Sequence, residues 1–175
     1  MRKPFTNGKI RHLGVTNFDT PHLKEIVDSG VVVVSNQLQY SLLDLRPENL
    51  MVPFCKKHSI YLLCYGTLAG GFLSSLYARK SETVEPFKNR SLVKYKIIID
   101  DVGGWGVFQA FLDTLERIAK KHKTSISNIA MRFILEKSKV GGVIVGYSRN
   151  SRMHDTLGVF DFCLDAEDYC LIDEG

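Results

Sequence analysis

The sequence has no apolar run approaching the ~18–20 residues that a membrane-spanning helix needs, which excludes a helical span. It has no basic run with interleaved aromatics. Its 23 Lys and Arg and 19 Asp and Glu are scattered along the chain, which argues against a nucleic-acid strand as partner. Its four cysteines, Cys55, Cys64, Cys163 and Cys170, form no C-x-x-C pair and read as reduced, structural thiols. None of the five histidines stands at a metal-ligand spacing, so no metal site is expected. No G-x-G-x-x-G is present, which removes a Rossmann phosphate loop from consideration. Met1-Arg2-Lys3-Pro4 is followed by polar residues rather than a signal-type apolar stretch, and a cytoplasmic location is the expectation. At 175 residues the chain is also short of the ~250 typical of a complete (β/α)8 barrel.

What is present is the composition of a folded α/β domain, 45% hydrophobic and 24% charged. Lys9 to Val15 reads as a strand, with Thr20 as N-cap and Pro21 as the first position of a helix that runs to Ser29 and stops at Gly30. Val31 to Ser35 is a β-branched run suited to a strand buried on both faces. Pro47 to His58 has a helical pattern with Leu50 and Phe54 on one face, and it leads into a third apolar run, Ile60 to Tyr65. The Gly- and Ser-rich stretch from Gly66 through Pro86 to Gly106 reads as a long loop. Val107 to His122 is an amphipathic helix, and Thr124 or Ser125 caps another that ends about Glu136. Gly142 to Gly146 is a fourth strand, followed by a helix that starts around Ser151. Strands alternating with helices predict a parallel sheet with ligand loops at the C-terminal strand ends. On pattern alone a complete open sheet of flavodoxin type stays open beside a barrel segment.

The strand ends carry Thr16-Asn17-Phe18, Asn36-Gln37-Leu38-Gln39-Tyr40-Ser41, Tyr65-Gly66-Thr67-Leu68-Ala69-Gly70-Gly71 and Gly146-Tyr147-Ser148-Arg149-Asn150. With Gly8-Lys9-Ile10-Arg11-His12-Leu13-Gly14-Val15 before them, these segments resemble the aldo-keto reductase family in order and spacing over nearly the whole of residues 1–175. The resemblance implies an α/β fold of the (β/α)8 TIM-barrel family, here about the last four βα units, a half barrel. It also implies NADP(H) as cofactor. Asn17 and Gln37 look like the family's carboxamide binders, each offering a donor and an acceptor, and Thr16 keeps the hydroxyl of a position where serine is also common. Tyr65 looks like the platform under the nicotinamide ring. Gly66, Leu68 and Gly70, with Gly71, look like a loop that lets backbone N–H groups approach the pyrophosphate. Gly146 opens the last loop, where Ser148 and Arg152 fall at positions that contact the adenosine 2′-phosphate. Asp155 matches an adenine-side position, and Thr156 stands where asparagine is common.

The family's catalytic Asp, Tyr, Lys and His follow the second, third and fourth strands, positions not found in residues 1–175, so no catalytic residue is assigned. The implied activity is carbonyl–alcohol oxidoreduction that depends on the other half of the barrel, the chain alone being inactive. The alternative is a non-catalytic nucleotide-binding module like the potassium-channel β-subunits. Unpaired edges of a half barrel point to self-association or to pairing with another chain. Without the resemblance, Asn17, Gln37, Tyr65 and Arg152 would read as ordinary strand-end, core and surface residues, and Trp105 as a ring anchoring its loop.

Overall fold

A computed structural model describes residues 8–82, 87, 90–146 and 151–175, with the backbone alone for 151 and 152. Four strands, β1 (Gly14–Thr16), β2 (Ser35–Gln39), β3 (Tyr61–Tyr65) and β4 (Val140–Ile144), pair in the order β1-β2-β3-β4, all parallel. Between them run helices α1 (Thr20–Asp28), α2 (Met51–His58), α3 (Arg90–Asp101), α4 (Gly104–Lys121) and α5 (Ile126–Leu135), and after β4 come α6 (Ser151–Leu157) and α7 (Ala166–Glu174). Successive parallel strands joined by helical crossovers, in sequence order, make the barrel-type arrangement rather than the reversed order of an open doubly wound sheet. No helix among the described residues is long and apolar enough to cross a membrane.

One face of the sheet carries the core. Asn36 and Leu38 of β2 and Leu62 and Cys64 of β3 are buried, and they alternate with half-buried or exposed Gln37, Gln39, Tyr61, Leu63 and Tyr65. Leu38, Leu62 and Cys64 join Leu23 of α1, Cys55 of α2 and Ile129 and Phe133 of α5 in a continuous apolar cluster. All four cysteines are unpaired, Cys55 and Cys64 buried and Cys163 and Cys170 exposed.

Several expectations need correction. β2 lies four residues later than the Val31–Ser35 run. The hydrogen bonds Val34 N–H to Leu13 O and Tyr61 N–H to Val34 O start the pairing, and the ladder then runs through polar Ser-Asn-Gln-Leu-Gln. Its polar residues fit because every second one faces the side without helices. Asp19, not Thr20, caps α1, its Oδ1 accepting from the His22 N–H at 2.9 Å. The Pro47–His58 helix is split into a 3-10 turn at Arg46–Glu48 and α2. Pro53 has no N–H to give, so it is tolerated only in a first helical turn, and α2 places it there. Leu50, expected on one helical face with Phe54, stands just before α2 and is exposed.

The stretch from Gly66 to Gly106 is not the loop its composition suggests: it holds a 3-10 turn at Ala69–Gly71, all of α3, and the first residues of α4. Tyr95 and Ile99 of α3 are core residues, and Pro86 lies outside the described residues. His12 is exposed ahead of β1 rather than packed in a strand. α7 has no counterpart in the expectations, although Asp165 and Asp168 form a reciprocal capping box at its start.

Candidate functional site

At the C-terminal ends of the strands the chain turns sharply. Asn17, just past β1, has φ 57, a left-handed conformation that asparagine tolerates better than most residues. Its N–H donates to the Gln37 carbonyl at 2.7 Å, fixing the turn against β2. The turn aims the Asn17 side chain across β2 to β3, where the Tyr65 hydroxyl donates to Asn17 Oδ1 at 2.8 Å. Gln37 lies in register between Thr16 and Leu63, and its side-chain amide makes no hydrogen bond among the described residues. Thr16, Asn17, Gln37 and Tyr65 thus come to one end of the sheet. The Asn17 carboxamide keeps both N–H groups free among the described residues.

These ends open into a cleft of about 640 Å³ lined by Asn17, Leu38, Gln39, Asp44, Arg46, Met51, Tyr65, Lys94 and neighbours from the start of α1, a size suited to a small ligand or part of a cofactor. Part of its lining is polar and tied. Arg46 donates to both Asp44 oxygens at 2.7 Å, and Gln39 Nε2 donates to Asp44 at 2.7 Å. Burial pushes the Asp44 carboxyl up, but the Arg46 hydrogen bonds and charge, with Gln39 after them, outweigh it and hold the group below its ordinary range. The second amide atom of Gln39, Oε1, is buried with no partner among the described residues. Tyr40 points the other way: it is fully buried and donates to Glu48 at 2.7 Å, a structural commitment.

The glycine loop after β3 turns through positive φ at Gly66 (72), Gly70 (68) and Gly71 (104). The smallness of Gly66 and Gly70 serves α3: an added Cβ would lie 2.3 Å from the Tyr95 hydroxyl at Gly66 and 2.9 Å from the Tyr95 ring at Gly70. Only Gly71 of the three faces open space. The Leu68 carbonyl accepts from Gly71 N–H at 2.8 Å and Leu73 N–H at 3.2 Å, closing the loop on itself.

In the last loop Gly146 is exposed, with nothing within 4 Å of an added Cβ. Ser148 and the Arg152 side chain lie outside the described residues. Asp155 is partly committed elsewhere: its carboxylate accepts from Ser125 Oγ at 3.0 Å and its carbonyl from Asn128 Nδ2 at 2.7 Å, tying α6 to the start of α5.

Sequence reasoning missed Gln39, Asp44, Arg46 and Lys94. Gln39 was findable, standing two residues after Gln37 on the same strand face. Lys94 was not, because its position depends on a helix that composition hid.

A family model described as the aldo/keto reductase family matches residues 2–175. The chain is 30% identical over 131 residues to the flagellar radial spoke protein 5 of Chlamydomonas reinhardtii, covering 73% of this chain and 25% of that one. It is 23% identical over 176 residues to the NADH-specific methylglyoxal reductase of Escherichia coli (strain K12), covering 97% of this chain and 49% of the relative. Among solved structures it matches the glycerol dehydrogenase AKR11B4 from Gluconobacter oxydans with TM-score 0.83 and 25% identity, over 98% of this chain and 50% of that chain. The chain therefore spans at most about half the length of these relatives.

Proposed function

The chain belongs to the aldo/keto reductase family, and from that premise we propose that residues 1–175 supply the nicotinamide-dinucleotide-binding half of a carbonyl–alcohol oxidoreductase. The observation that carries this is the Tyr65–Asn17 hydrogen bond at the mouth of the cleft, with the Gln37 amide on β2 free among the described residues. The donor set fits the group. Two carboxamides match the donor and acceptor of a nicotinamide amide, and the half-buried Tyr65 ring gives it a stacking surface. The cofactor, when bound, supplies or accepts a hydride. The work of this chain is to hold the amide at Asn17 and Gln37, present Tyr65 to the ring, and keep the cleft shaped through Asp44 and Arg46. Proton donation to the substrate oxygen draws on the part of the relatives that residues 1–175 do not span, and a small carbonyl or alcohol is the substrate class.

NADP(H) is our choice over NAD(H), supported by Ser148 and Arg152 in the last loop, whose residue types suit a 2′-phosphate. The Escherichia coli relative is named for NADH, so both cofactors belong in the test. Free thiols on all four cysteines accord with a cytoplasmic setting. A second reading, nucleotide binding without turnover, is favoured by the likeness to a protein named as a radial spoke component.

Fluorescence titration of the 175-residue chain with NADPH and NADH tests the proposal. Saturable binding, weakened about five-fold or more by Asn17→Ala and by Gln37→Ala, is the expected result, each variant losing hydrogen bonds worth about 1 kcal/mol. Affinity unchanged in both variants and in Arg152→Ala would sink it. Turnover once the rest of the barrel is supplied separates the oxidoreductase from the non-catalytic module.

A further inference from the structure

We propose that Lys94 discriminates between the oxidised and reduced forms of the nicotinamide, favouring the reduced one. The inference rests on the reading of this cleft as a nicotinamide site. Lys94 belongs to α3, whose Tyr95 and Leu92 side chains approach Gly70 and whose Tyr95 also meets Gly66, so the helix is held against the loop that follows Tyr65. The Lys94 ammonium stands over the Tyr65 ring, 5.6 Å from its centroid, and 5.4 Å from that of Tyr95. Both Lys94 and Tyr65 line the cleft.

The other charges of the cleft are already matched. Arg46 is bound to Asp44, and Asp19 caps α1 and pairs with His22. Two residues along α3, Lys96 pairs with Glu82 and Asp100. Lys94 alone of the cleft's cations has no carboxylate partner among the described residues. It lies instead against two aromatic faces, an arrangement favoured by their quadrupoles.

A ring stacked on Tyr65 meets this ammonium. The oxidised nicotinamide carries a full positive charge on the ring and the reduced ring is neutral, so a fixed cation beside Tyr65 penalises one form and leaves the other nearly untouched. At such a separation and with solvent nearby, the penalty corresponds to about a five-fold difference in affinity at low salt, shrinking as salt is raised. A lysine that gripped a phosphate would act differently, because both redox forms carry the same phosphates.

The measurement is the ratio of dissociation constants for NADP+ and NADPH, taken by titration of the full 175-residue chain and its Lys94→Gln, Lys94→Arg and Lys94→Glu variants. The expected result is a ratio that falls about five-fold in Lys94→Gln, holds in Lys94→Arg and falls further in Lys94→Glu, with the wild-type ratio declining at high salt. Equal weakening of both forms in Lys94→Gln assigns the lysine to the phosphates and overturns the inference while leaving the cofactor reading intact. A ratio that does not move does the same. If the wild-type chain binds neither form, the cofactor reading itself fails and the inference falls with it.

Discussion

Asn17 and Tyr65 are separated by 48 residues in sequence and joined by one hydrogen bond of 2.8 Å, so each affects the other's position. Tyr65→Phe keeps the aromatic ring proposed to carry the nicotinamide but frees Asn17 Oδ1. The expected outcome is little change in overall stability and a loss of a few-fold in cofactor affinity, since a neutral hydrogen bond contributes about 1 kcal/mol. Titration beside thermal melting separates the two. Asn17 also sits at φ 57, so Asn17→Gly relaxes the backbone while Asn17→Ala strains it, and the Ala variant should melt lower than the Gly variant. The sequence singled these residues out only through the motifs around them. An Asn, a Gln and a Tyr at strand ends have no distinctive chemistry until the register of β1, β2 and β3 brings them to one edge, and no single periodicity encodes that register. Lys94 was hidden for a further reason: it has no motif, and its meaning comes from the tertiary approach of α3 to Tyr65.

α3 shows how an element can be masked by its surroundings. Its apolar residues Leu92, Tyr95 and Ile99 follow helical spacing, but glycines, serines and lysines on either side dilute the signal over any window wide enough to average it. α4 was plain because seven of its residues, from Trp105 to Ala119, form a buried stripe. Trp105 anchors the preceding segment, its indole donating to the Lys80 carbonyl at 2.9 Å and its ring meeting Phe72, Tyr77 and Phe108. α3 in turn depends on glycine. Gly66→Ala places a methyl 2.3 Å from the Tyr95 hydroxyl at φ 72, and the expected cost is about 1–3 kcal/mol from overpacking and left-handed strain together. Tyr95→Phe removes the clashing oxygen but not the strain. In a double-mutant cycle read by denaturant unfolding, Tyr95→Phe should therefore recover part of the loss and never all of it. Full recovery would mean that the backbone at Gly66 carries no strain.

For the molecule as a whole, the alternation of strands and helices was readable, and so was the parallel sheet. The closing contacts of its last helix were not. α7 docks through charge: Asp168 is fully buried, within 2.6 Å of His122 Nε2 and 2.9 Å of Lys121 Nζ. Lys121 also reaches Asp165 at 2.7 Å, so two of the three clustered groups His122, Asp165 and Asp168 already pair with an ammonium. Burial pushes the Asp168 carboxyl up, but its bond to the Asp165 backbone, with those to His122 and Lys121, wins and holds it below the usual 3.8. A carboxyl depressed on folding stabilises the native state above its unfolded value, and that contribution fades as the pH falls through the folded value. Thermal melting from neutral to acid pH should therefore show a loss of stability beginning near pH 4, with Asp168→Asn less stable at neutral pH and flatter below it.

The two outer strands set the last expectation. Among the described residues β1 and β4 each pair on one side only, and the sheet face away from the helices shows Tyr61 at 53% and Ile144 at 43% exposure. Solved relatives are about twice as long, and unpaired edges beside exposed apolar side chains favour association. A concentration-dependent mass for the isolated 175-residue chain is the expected outcome. Ile144→Lys puts a charge on that face without touching the core, so it should shift the chain toward monomer while circular dichroism stays unchanged. A wild-type chain that sediments as a monomer at every concentration would show that the exposed face and edges do not drive self-association.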